Sequence, residues 1–315
     1  MAPKPFRFLA DARDIAGLAE LTETARRAEA IGIATLVIPD HLIAQLAPVA
    51  AMSAIVAVSD RLRVSGFVLN NDLRHPAVLA QELASIDVLS GGRLDVAIGA
   101  GWNRAEYEAI GLPFDPTPVR QARLAEAIAV LKGCFVDGPF SFSGDHYTIT
   151  DYDAQPKPVQ RPHPPIMIGG GGRATLALAG REANIVGLAP RILGSGAPDP
   201  RSYTFEAARE KVGWVREAAG DRFDDLIVNV YPSGVAPEIT DDALVRAREF
   251  ADRLRGLSGI EISTDAVLES PHFLVGSVDD LTAKLRRLRD ELGISSVMVG
   301  TVDDLTPVVE RLAGA

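Results

Sequence analysis

Short apolar runs alternate with longer segments of helical spacing along the chain, and this alternation restricts the possible folds more than any other feature. The runs at 6–10, 35–39 and 63–69 read as strands, and a helix is predicted over 17–31, between the first two. Short continuous apolar strands are typical of a parallel sheet buried on both faces. Eight strand–helix units, the last strand at 295–300, predict an α/β fold, a (β/α)8 TIM barrel.

We predict one domain over residues 1–315, with insertions after strand 4 and near strands 6–7. Residues 137–165 interrupt the alternation with a hairpin pattern and a proline-rich connector, and 190–202 form a polar loop rich in glycine and proline. The rival is a doubly wound sheet in two domains. No linker-like change of composition divides the chain in half, which favours the single barrel.

Charge and cysteine content limit the partners and the compartment. The formal net charge of -10 disfavours binding to a phosphate backbone, so nucleic acid is not expected as a partner. The most apolar stretch, 46–59, is too short to cross a bilayer, and no membrane partner is expected. The single cysteine, Cys134, lies in a helical pattern and reads as a small buried apolar side chain. A reducing, cytoplasmic compartment fits this cysteine usage best.

In a parallel barrel the reactive groups follow the carboxyl ends of the strands. Strand two ends in Asp40 and His41, and His41 is a candidate catalytic acid or base, or else a hydrogen-bond partner of a loop carbonyl. Asp40 alternatively caps the segment that follows. Trp102, after strand four, is either a wall of the substrate pocket or a cover for the barrel mouth. The other histidines lack metal-ligand spacing, so no metal site is predicted, and His75 is expected to cap a helix.

Four consecutive glycines, Gly169, Gly170, Gly171 and Gly172, separate strand five from the next helix and are followed by Arg173. Successive backbone N–H groups at a helix N-terminus suit a phosphate, and an arginine would add a charged fork. The alternative is a loose turn with a surface arginine. The run GAGWNR at 99–104 is a weak dinucleotide fingerprint, because Arg104 stands where a third glycine belongs.

The segments RVSGFVLNNDLRHPAVLAQELASIDVLSGGRLDVAIGAGWNRAEYEAIG (63–111) and PIMIGGGGRATLALAGREANIVGLAP (165–190) resemble the luciferase-like monooxygenase superfamily. Within it the chain most resembles the actinobacterial oxidoreductases that use the deazaflavin coenzyme F-420. The resemblance implies a TIM barrel with the flavin or deazaflavin ring across its C-terminal mouth, and a homodimer. It also implies a non-proline cis peptide at the end of strand three, by position Gly66–Phe67.

The resemblance further assigns cofactor contacts by matched position. The ring and its near side chain would meet Asp40, Gly66, Phe67, Val68 and Asn70, and the other side of the ring would meet Gly99, Ala100 and Gly101. The phosphate would be held by Gly169, Gly170, Gly171, Gly172 and Arg173, together with Gly187, Leu188 and Ala189.

The chain departs from the deazaflavin sugar-phosphate dehydrogenases of this superfamily at two positions. There a tryptophan follows the strand-two histidine and a glutamate follows the strand-four G-x-G, whereas Gln45 and Trp102 stand at those places here. The acid partner for alcohol oxidation is therefore missing, which argues against dehydrogenation of a sugar phosphate.

The resemblance then implies hydride transfer between the deazaflavin and a small apolar or aromatic substrate, with His41 as proton donor or orienting group. The alternative is an FMN-dependent two-component monooxygenase supplied by a separate cofactor reductase. A third hypothesis is a barrel that binds a phosphorylated ligand without catalysis.

Overall fold

The computed structural model describes residues 3–194 and 196–315. The strands are β1 (Arg7–Asp11), β2 (Thr35–Ile38), β3 (Arg63–Gly66), β4 (Leu69–Asn70), β5 (Val96–Gly99), β6 (Phe140–Ser143), β7 (Thr148–Tyr152), β8 (Ile166–Gly170), β9 (Ile185–Leu188), β10 (Ile227–Val230), β11 (Glu238–Ile239), β12 (Val275–Gly276) and β13 (Ile294–Met298). The helices are α1 (Leu18–Ile31), α2 (Pro48–Val58), α3 (Pro76–Ser90), α4 (Arg104–Ala109), α5 (Thr117–Phe135), α6 (Arg173–Glu182), α7 (Phe205–Ala219), α8 (Ala243–Ser258), α9 (Thr264–Leu268), α10 (Val278–Leu292) and α11 (Thr306–Leu312).

Nine of these strands are hydrogen-bonded in the order β3-β2-β1-β13-β10-β9-β8-β5-β4. The two ends of this order, β3 and β4, are the two parts of the third predicted strand, which is interrupted at Phe67 and Val68. The series therefore begins and ends on one strand, as it must when a sheet closes into a barrel. The predicted TIM-barrel fold class is confirmed.

The chain divides into two compact units, of which the first comprises Met1–Asp11, Arg26–Thr35 and Ile168–Ala315. Within it β1 pairs with β13, β13 with β10 and β10 with β9, all in parallel. Asn229 lies opposite Ser296 in the β10–β13 register, and its Nδ2 donates to Ser296 Oγ over 2.9 Å inside the core. The prediction of a single domain stays a prediction.

After β10 the first unit contains an insertion that the strand–helix alternation did not predict in detail. The two-residue strands β11 and β12 pair in parallel, and α8 and α9 pack beside them. The buried aromatic side chains of this insertion, Phe250 and Phe273, form one cluster with Tyr203, which precedes α7. The predicted loop at 190–202 includes residue 195, which lies outside the described residues, and ends in the 3-10 turn Pro200–Ser202.

The second unit comprises Ala12–Ala25 and Leu36–Met167. In it β4 pairs in parallel with β5, so that Asn70 lies opposite Gly99. The predicted hairpin after strand four is confirmed as the antiparallel pair β6 and β7. Glu126 of α5 accepts the backbone N–H groups of the hairpin turn, residues 145–147, over 2.8, 2.9 and 3.1 Å. No helix in the described part of the chain is long and apolar enough to cross a membrane.

The interruption of strand three lies one residue later than its predicted position. The cis peptide joins Phe67 and Val68, not Gly66 and Phe67, so the predicted bond is wrong by one residue. The Phe67 N–H still donates to Ile38 O of β2 over 2.9 Å. The strand therefore keeps its pairing up to the nitrogen of Phe67 and breaks only beyond it.

Candidate functional site

His41 directly follows the end of β2 and is hydrogen-bonded to an acidic side chain. Its Nδ1 lies 2.8 Å from Glu106 Oε1, and the side chains of His41 and Glu106 are 24% and 10% exposed. A carboxylate only accepts, so Nδ1 carries the proton and Nε2 is left for another partner. The acid partner that the sequence analysis expected to be missing is therefore present as a carboxylate beside His41, supplied by α4 one helical turn beyond Trp102.

Trp102 lies beside this pair. The centroids of the Trp102 and His41 rings are 5.6 Å apart with the planes at 82°, and Trp102 is 61% exposed. Leu42 and Ile43, the two residues after His41, are also exposed. Exposed apolar surface next to a histidine suits an apolar or aromatic ligand, and an exposure this high is unlike that of a residue covering a core.

Asp40 is buried and bound by the protein itself. It accepts the Asn70 N–H over 2.9 Å and pairs with Arg74 through two hydrogen bonds of 2.7 and 3.2 Å. It therefore ties the end of β2 to the turn after β4 and does not cap the segment that follows β2. Its assignment as a cofactor contact stays a prediction.

Asn70, which lies opposite Gly99 at the end of β5, is the centre of a cluster of polar side chains. Its Oδ1 accepts the Asp72 N–H over 3.1 Å and lies 2.9 Å from the Tyr107 hydroxyl. Burial, followed by the charge of Asp72, raises the pKa of Tyr107, which stays a protonated donor. A Cβ on Gly101, where φ is +73°, would lie 2.0 Å from that hydroxyl. Gly101 is therefore required by Tyr107 whether or not a ligand is present.

The other glycines assigned to the ring also have protein neighbours. A Cβ on Gly66 would lie 2.5 Å from the Leu69 side chain, and one on Gly99 would lie 2.8 Å from Val68. The Ala100 carbonyl accepts from the buried Arg120 over 3.1 Å, which fixes the turn after β5. These contacts make the strand ends rigid. Contact with a cofactor stays a prediction for Gly66, Phe67, Val68, Gly99 and Ala100.

The glycine run lies in the first unit, where β8 leads into α6. The Gly170 carbonyl accepts the Ala189 N–H over 2.9 Å, so the ends of β8 and β9 are in contact. A Cβ on Gly171 would lie 2.7 Å from the carbonyl oxygens of both Ala189 and Pro190. Gly172 differs, because nothing lies within 4 Å of the position where its Cβ would be.

This run fits a phosphate at one place. Gly172 is the N-cap of the ten-residue helix α6 and supplies no side-chain cap, so the positive end of the helix borders open space. The exposed guanidinium of Arg173 pairs with Glu217 over 2.8 Å, and its contact with a phosphate stays a prediction. Of the remaining assigned residues, Gly187 and Leu188 belong to β9, Leu188 is buried, and Ala189 follows the strand.

Lys211 of α7 is a cationic group near the run that the sequence analysis missed. Its Nζ donates to Ala189 O over 2.7 Å and to Ser202 O over 2.9 Å, and the residue is 2% exposed. Burial lowers the pKa of Lys211 to about 8, so the ammonium form persists at neutral pH. Lys211 lies on the buried face of α7, together with Ala208 and Val215. This helical spacing is a sequence signal that could have identified Lys211 as a buried residue. Among the described residues no three His, Cys, Asp or Glu side chains are grouped as a metal site would require.

Residues 5–296 match the family model described as luciferase-like monooxygenase. The chain belongs to this family. A relative named FMNH(2)-dependent dimethylsulfone monooxygenase, from Pseudomonas putida, is 41% identical over 131 residues, which are 42% of this chain and 36% of that protein. The chain thus spans about a third of the length of this relative.

Two further similarities cover more of the family fold. A relative named F420-dependent glucose-6-phosphate dehydrogenase, from Microbacterium testaceum, is 30% identical over 246 residues, 74% of this chain and 68% of that protein. The solved structure of a coenzyme F420 dependent tetrahydromethanopterin reductase from Methanopyrus kandleri superposes with a TM-score of 0.76, covering 98% of this chain and 97% of that one. At 18% identity this likeness shows the shared fold alone.

Proposed function

We propose that this luciferase-like protein is a deazaflavin (coenzyme F-420)-dependent oxidoreductase that transfers a hydride between the deazaflavin and a small apolar or aromatic organic substrate. The observation that carries the proposal is the His41–Glu106 pair beside the exposed ring of Trp102. The similarity to an F420-dependent dehydrogenase over 74% of the chain supports the choice of cofactor.

Each part of the candidate site has a role in this proposal. The uncapped start of α6 at Gly172, with the neighbouring ammonium of Lys211, would hold the cofactor phosphate. The strand ends at Asn70 and Gly99–Gly101 would support the ring. When bound, the deazaflavin supplies or receives the hydride, and the protein supplies position and electrostatics.

The proton is handled by His41. Addition of a hydride to one atom of a C=C or C=N bond leaves an electron pair on the other atom, and that atom takes the proton from His41 Nε2. Glu106 holds Nδ1–H and stabilises the imidazolium that exists before this transfer. In the opposite direction neutral His41 accepts the proton. Trp102 would pack against the apolar part of the substrate and exclude water.

An FMN-dependent two-component monooxygenase is the second candidate, favoured by the 41% identity to an FMNH(2)-dependent enzyme over part of the chain. A separate reductase would then supply the reduced flavin. Within the proposal we also place the protein in the cytoplasm, since its single cysteine is buried and unpaired. The homodimer that the family resemblance implies belongs to the same proposal.

Cofactor titration decides between these candidates. We expect saturable binding of coenzyme F-420, followed by fluorescence and absorbance, with much weaker binding of FMN. Saturable FMN binding without deazaflavin binding would replace the first candidate by the second. A protein that binds neither would favour a ligand-binding barrel without redox chemistry.

A further inference from the structure

A cavity of about 330 Å³ lies in the second unit, and two residues in contact with Asn70, Asp72 and Tyr107, are part of its wall. Its walls are four residues of the turn after β4, Tyr107 of α4, residues 112 and 113, Arg123 of α5 and Tyr147 at the foot of β7. His75 and Pro113 are exposed, so the cavity opens to solvent at these two residues. No residue of the proposed proton-transfer pair lines it.

The only carboxylate on the wall, Asp72, already has partners on both oxygens. Its Oδ1 receives Arg123 over 2.9 Å, and its Oδ2 lies 3.0 Å from the Tyr107 hydroxyl. Arg123 also bridges to Asp115. Both oxygens of Asp72 are therefore already in contact with donors of the wall, so a donor on a ligand would have to share them with Arg123 or Tyr107.

Donors, in contrast, remain available on the wall. His75 Nδ1 accepts the Ala77 N–H over 3.2 Å, so the neutral ring carries its proton on Nε2. The Tyr147 hydroxyl accepts from Asn71 Nδ2 over 3.3 Å and keeps its own proton to donate. A ligand that fits these walls must bring acceptors.

The charges around the cavity argue against an anion. The two guanidiniums of the wall, Arg74 and Arg123, are paired with four carboxylates, those of Asp40, Glu82, Asp72 and Asp115. The set carries two net negative charges, which would repel a carboxylate or a phosphate. The acceptor on the ligand must therefore be neutral, such as a carbonyl oxygen.

The rest of the wall is formed by side-chain rings and apolar groups. The His75 and Tyr147 rings meet edge to face with centroids 5.5 Å apart, and Leu112 and Pro113 line the cavity with them. A volume of about 330 Å³ is at the small end of ligand pockets and suits a molecule with one ring. We propose that this cavity is a binding site for a small neutral aromatic carbonyl compound, whose oxygen accepts hydrogen bonds from His75 and Tyr147.

Acetophenone is a suitable probe, with ethylbenzene and benzoate as comparators of similar shape. We expect saturable acetophenone binding to the intact protein by calorimetry and ligand-observed NMR. Ethylbenzene lacks the acceptor and benzoate carries a charge, so each should bind at least about threefold more weakly. Benzoate binding as tightly as acetophenone, or no acetophenone binding at all, would overturn the proposal.

Three variants locate the binding. Tyr147→Phe removes one donor and should weaken acetophenone binding about three- to tenfold. Tyr152→Phe removes a hydroxyl from the same hairpin outside the cavity and should leave the affinity unchanged. His75→Asn keeps a helix cap but removes the Nε2 donor, and its effect should match that of Tyr147→Phe.

Leu112→Trp fills the cavity and should abolish binding while circular dichroism and the thermal midpoint confirm a folded protein. Acetophenone affinity that survives this filling, or that falls equally in the Tyr152→Phe control, would show that the probe binds elsewhere.

Discussion

Glu106 determines which nitrogen of His41 carries a proton. Its carboxylate lies 2.8 Å from Nδ1, and its side chain is 10% exposed, so the hydrogen bond is largely shielded from competing water. Glu106 touches His41 and is in this sense a positioning residue. The arrangement leaves Nε2 as the nitrogen that meets a substrate, next to the Trp102 ring.

We expect Glu106→Leu to shift His41 toward the tautomer with the proton on Nε2, because the acceptor for Nδ1–H is lost. Glu106→Gln retains an acceptor oxygen and should keep the original tautomer, yet lower turnover by about 10- to 100-fold because the charge is gone. Nitrogen-15 NMR of the His41 ring reports the tautomer. Identical ring spectra in the wild type and Glu106→Leu would contradict the assigned role, and unchanged cofactor affinity in both variants is the control.

The burial of Lys211 leads to a second prediction, which concerns the pH dependence of cofactor affinity. Its pKa of about 8 lies well below that of a free lysine because of burial, so its positive charge is lost as the pH rises through 8. Affinity for the phosphate-bearing cofactor should therefore fall between pH 7 and 9 in the wild type.

In Lys211→Met the affinity at pH 7 should be several-fold weaker and the pH dependence above 7 should disappear. Titrations at pH 7, 8 and 9 in the two proteins test this. A wild-type profile that is flat over this range, or a steep one that persists in the variant, would exclude Lys211 as the group responsible.

Among the secondary-structure elements, the start of α6 contains two neighbouring glycines, Gly171 and Gly172, that have different roles. Gly171 is packed against the carbonyls of Ala189 and Pro190, whereas the position of a Cβ on Gly172 is open. Packing between β8 and β9 therefore explains Gly171, while the absence of a side chain at Gly172 leaves the positive end of the helix accessible.

A matched pair of variants tests this division. Gly172→Asp places a good N-cap on α6 and should leave the thermal midpoint unchanged or slightly higher, while its charge repels the cofactor phosphate and lowers affinity at least about tenfold. Gly171→Ala should instead lower the thermal midpoint, since its methyl group would meet two carbonyl oxygens at 2.7 Å. Full cofactor affinity in Gly172→Asp would show that the cofactor phosphate does not bind at the start of α6.

The elements were predictable where their signals are local. The predicted strand at 166–170 and the helix at 173–182 coincide with β8 and α6, because apolar residues, glycines and an alanine-rich stretch follow one another without ambiguity. His75 caps α3 as predicted. The apolar pattern alone does not show where pairing of strand three stops, and the family resemblance placed the cis peptide there one residue too early. Two-residue strands such as β11 are too short to show any period.

The candidate site was predictable only in part, for a related reason. Strand ends identify His41 and Trp102 as neighbours of a barrel mouth. The His41–Glu106 hydrogen bond joins residues 65 positions apart, and no local pattern reports that distance. Nor did the sequence indicate the ion pair of Arg173 with Glu217 on the next helix, while the phosphate contact of Arg173 stays a prediction.

At the scale of the whole molecule, buried basic side chains link folding to pH. His272 is fully buried and its Nδ1–H donates to the Tyr231 carbonyl over 2.9 Å. Burial, followed by the charge of Lys211, lowers the pKa of His272 to about 3. The unfolded chain binds a proton on this histidine near pH 6.5, the folded chain only near 3. The free energy of unfolding therefore falls as the pH drops through this window.

We expect His272→Gln to reduce the pH dependence of that free energy between pH 6.5 and 4 by up to about 1.4 kcal/mol per pH unit. Urea unfolding at pH 4, 5, 6 and 7 measures the slope in both proteins. The variant is expected to be less stable at pH 7, so the slope and not the midpoint is the deciding quantity. Parallel pH profiles would assign the acid sensitivity to other groups.

The strand order that begins and ends on strand three has a consequence for association with other chains. The two ends of that order meet the same neighbour, because β4 pairs with β5 and Val64 of β3 bridges to Leu94 just before β5, so the described barrel strands leave little free sheet edge to a foreign strand. Among the described strands, main-chain edges remain in the two small sheets, β6–β7 and β11–β12. Aggregation by strand addition should therefore start at the β6–β7 hairpin or the β11–β12 pair, and Lys or Pro substitutions there are the rational way to suppress it.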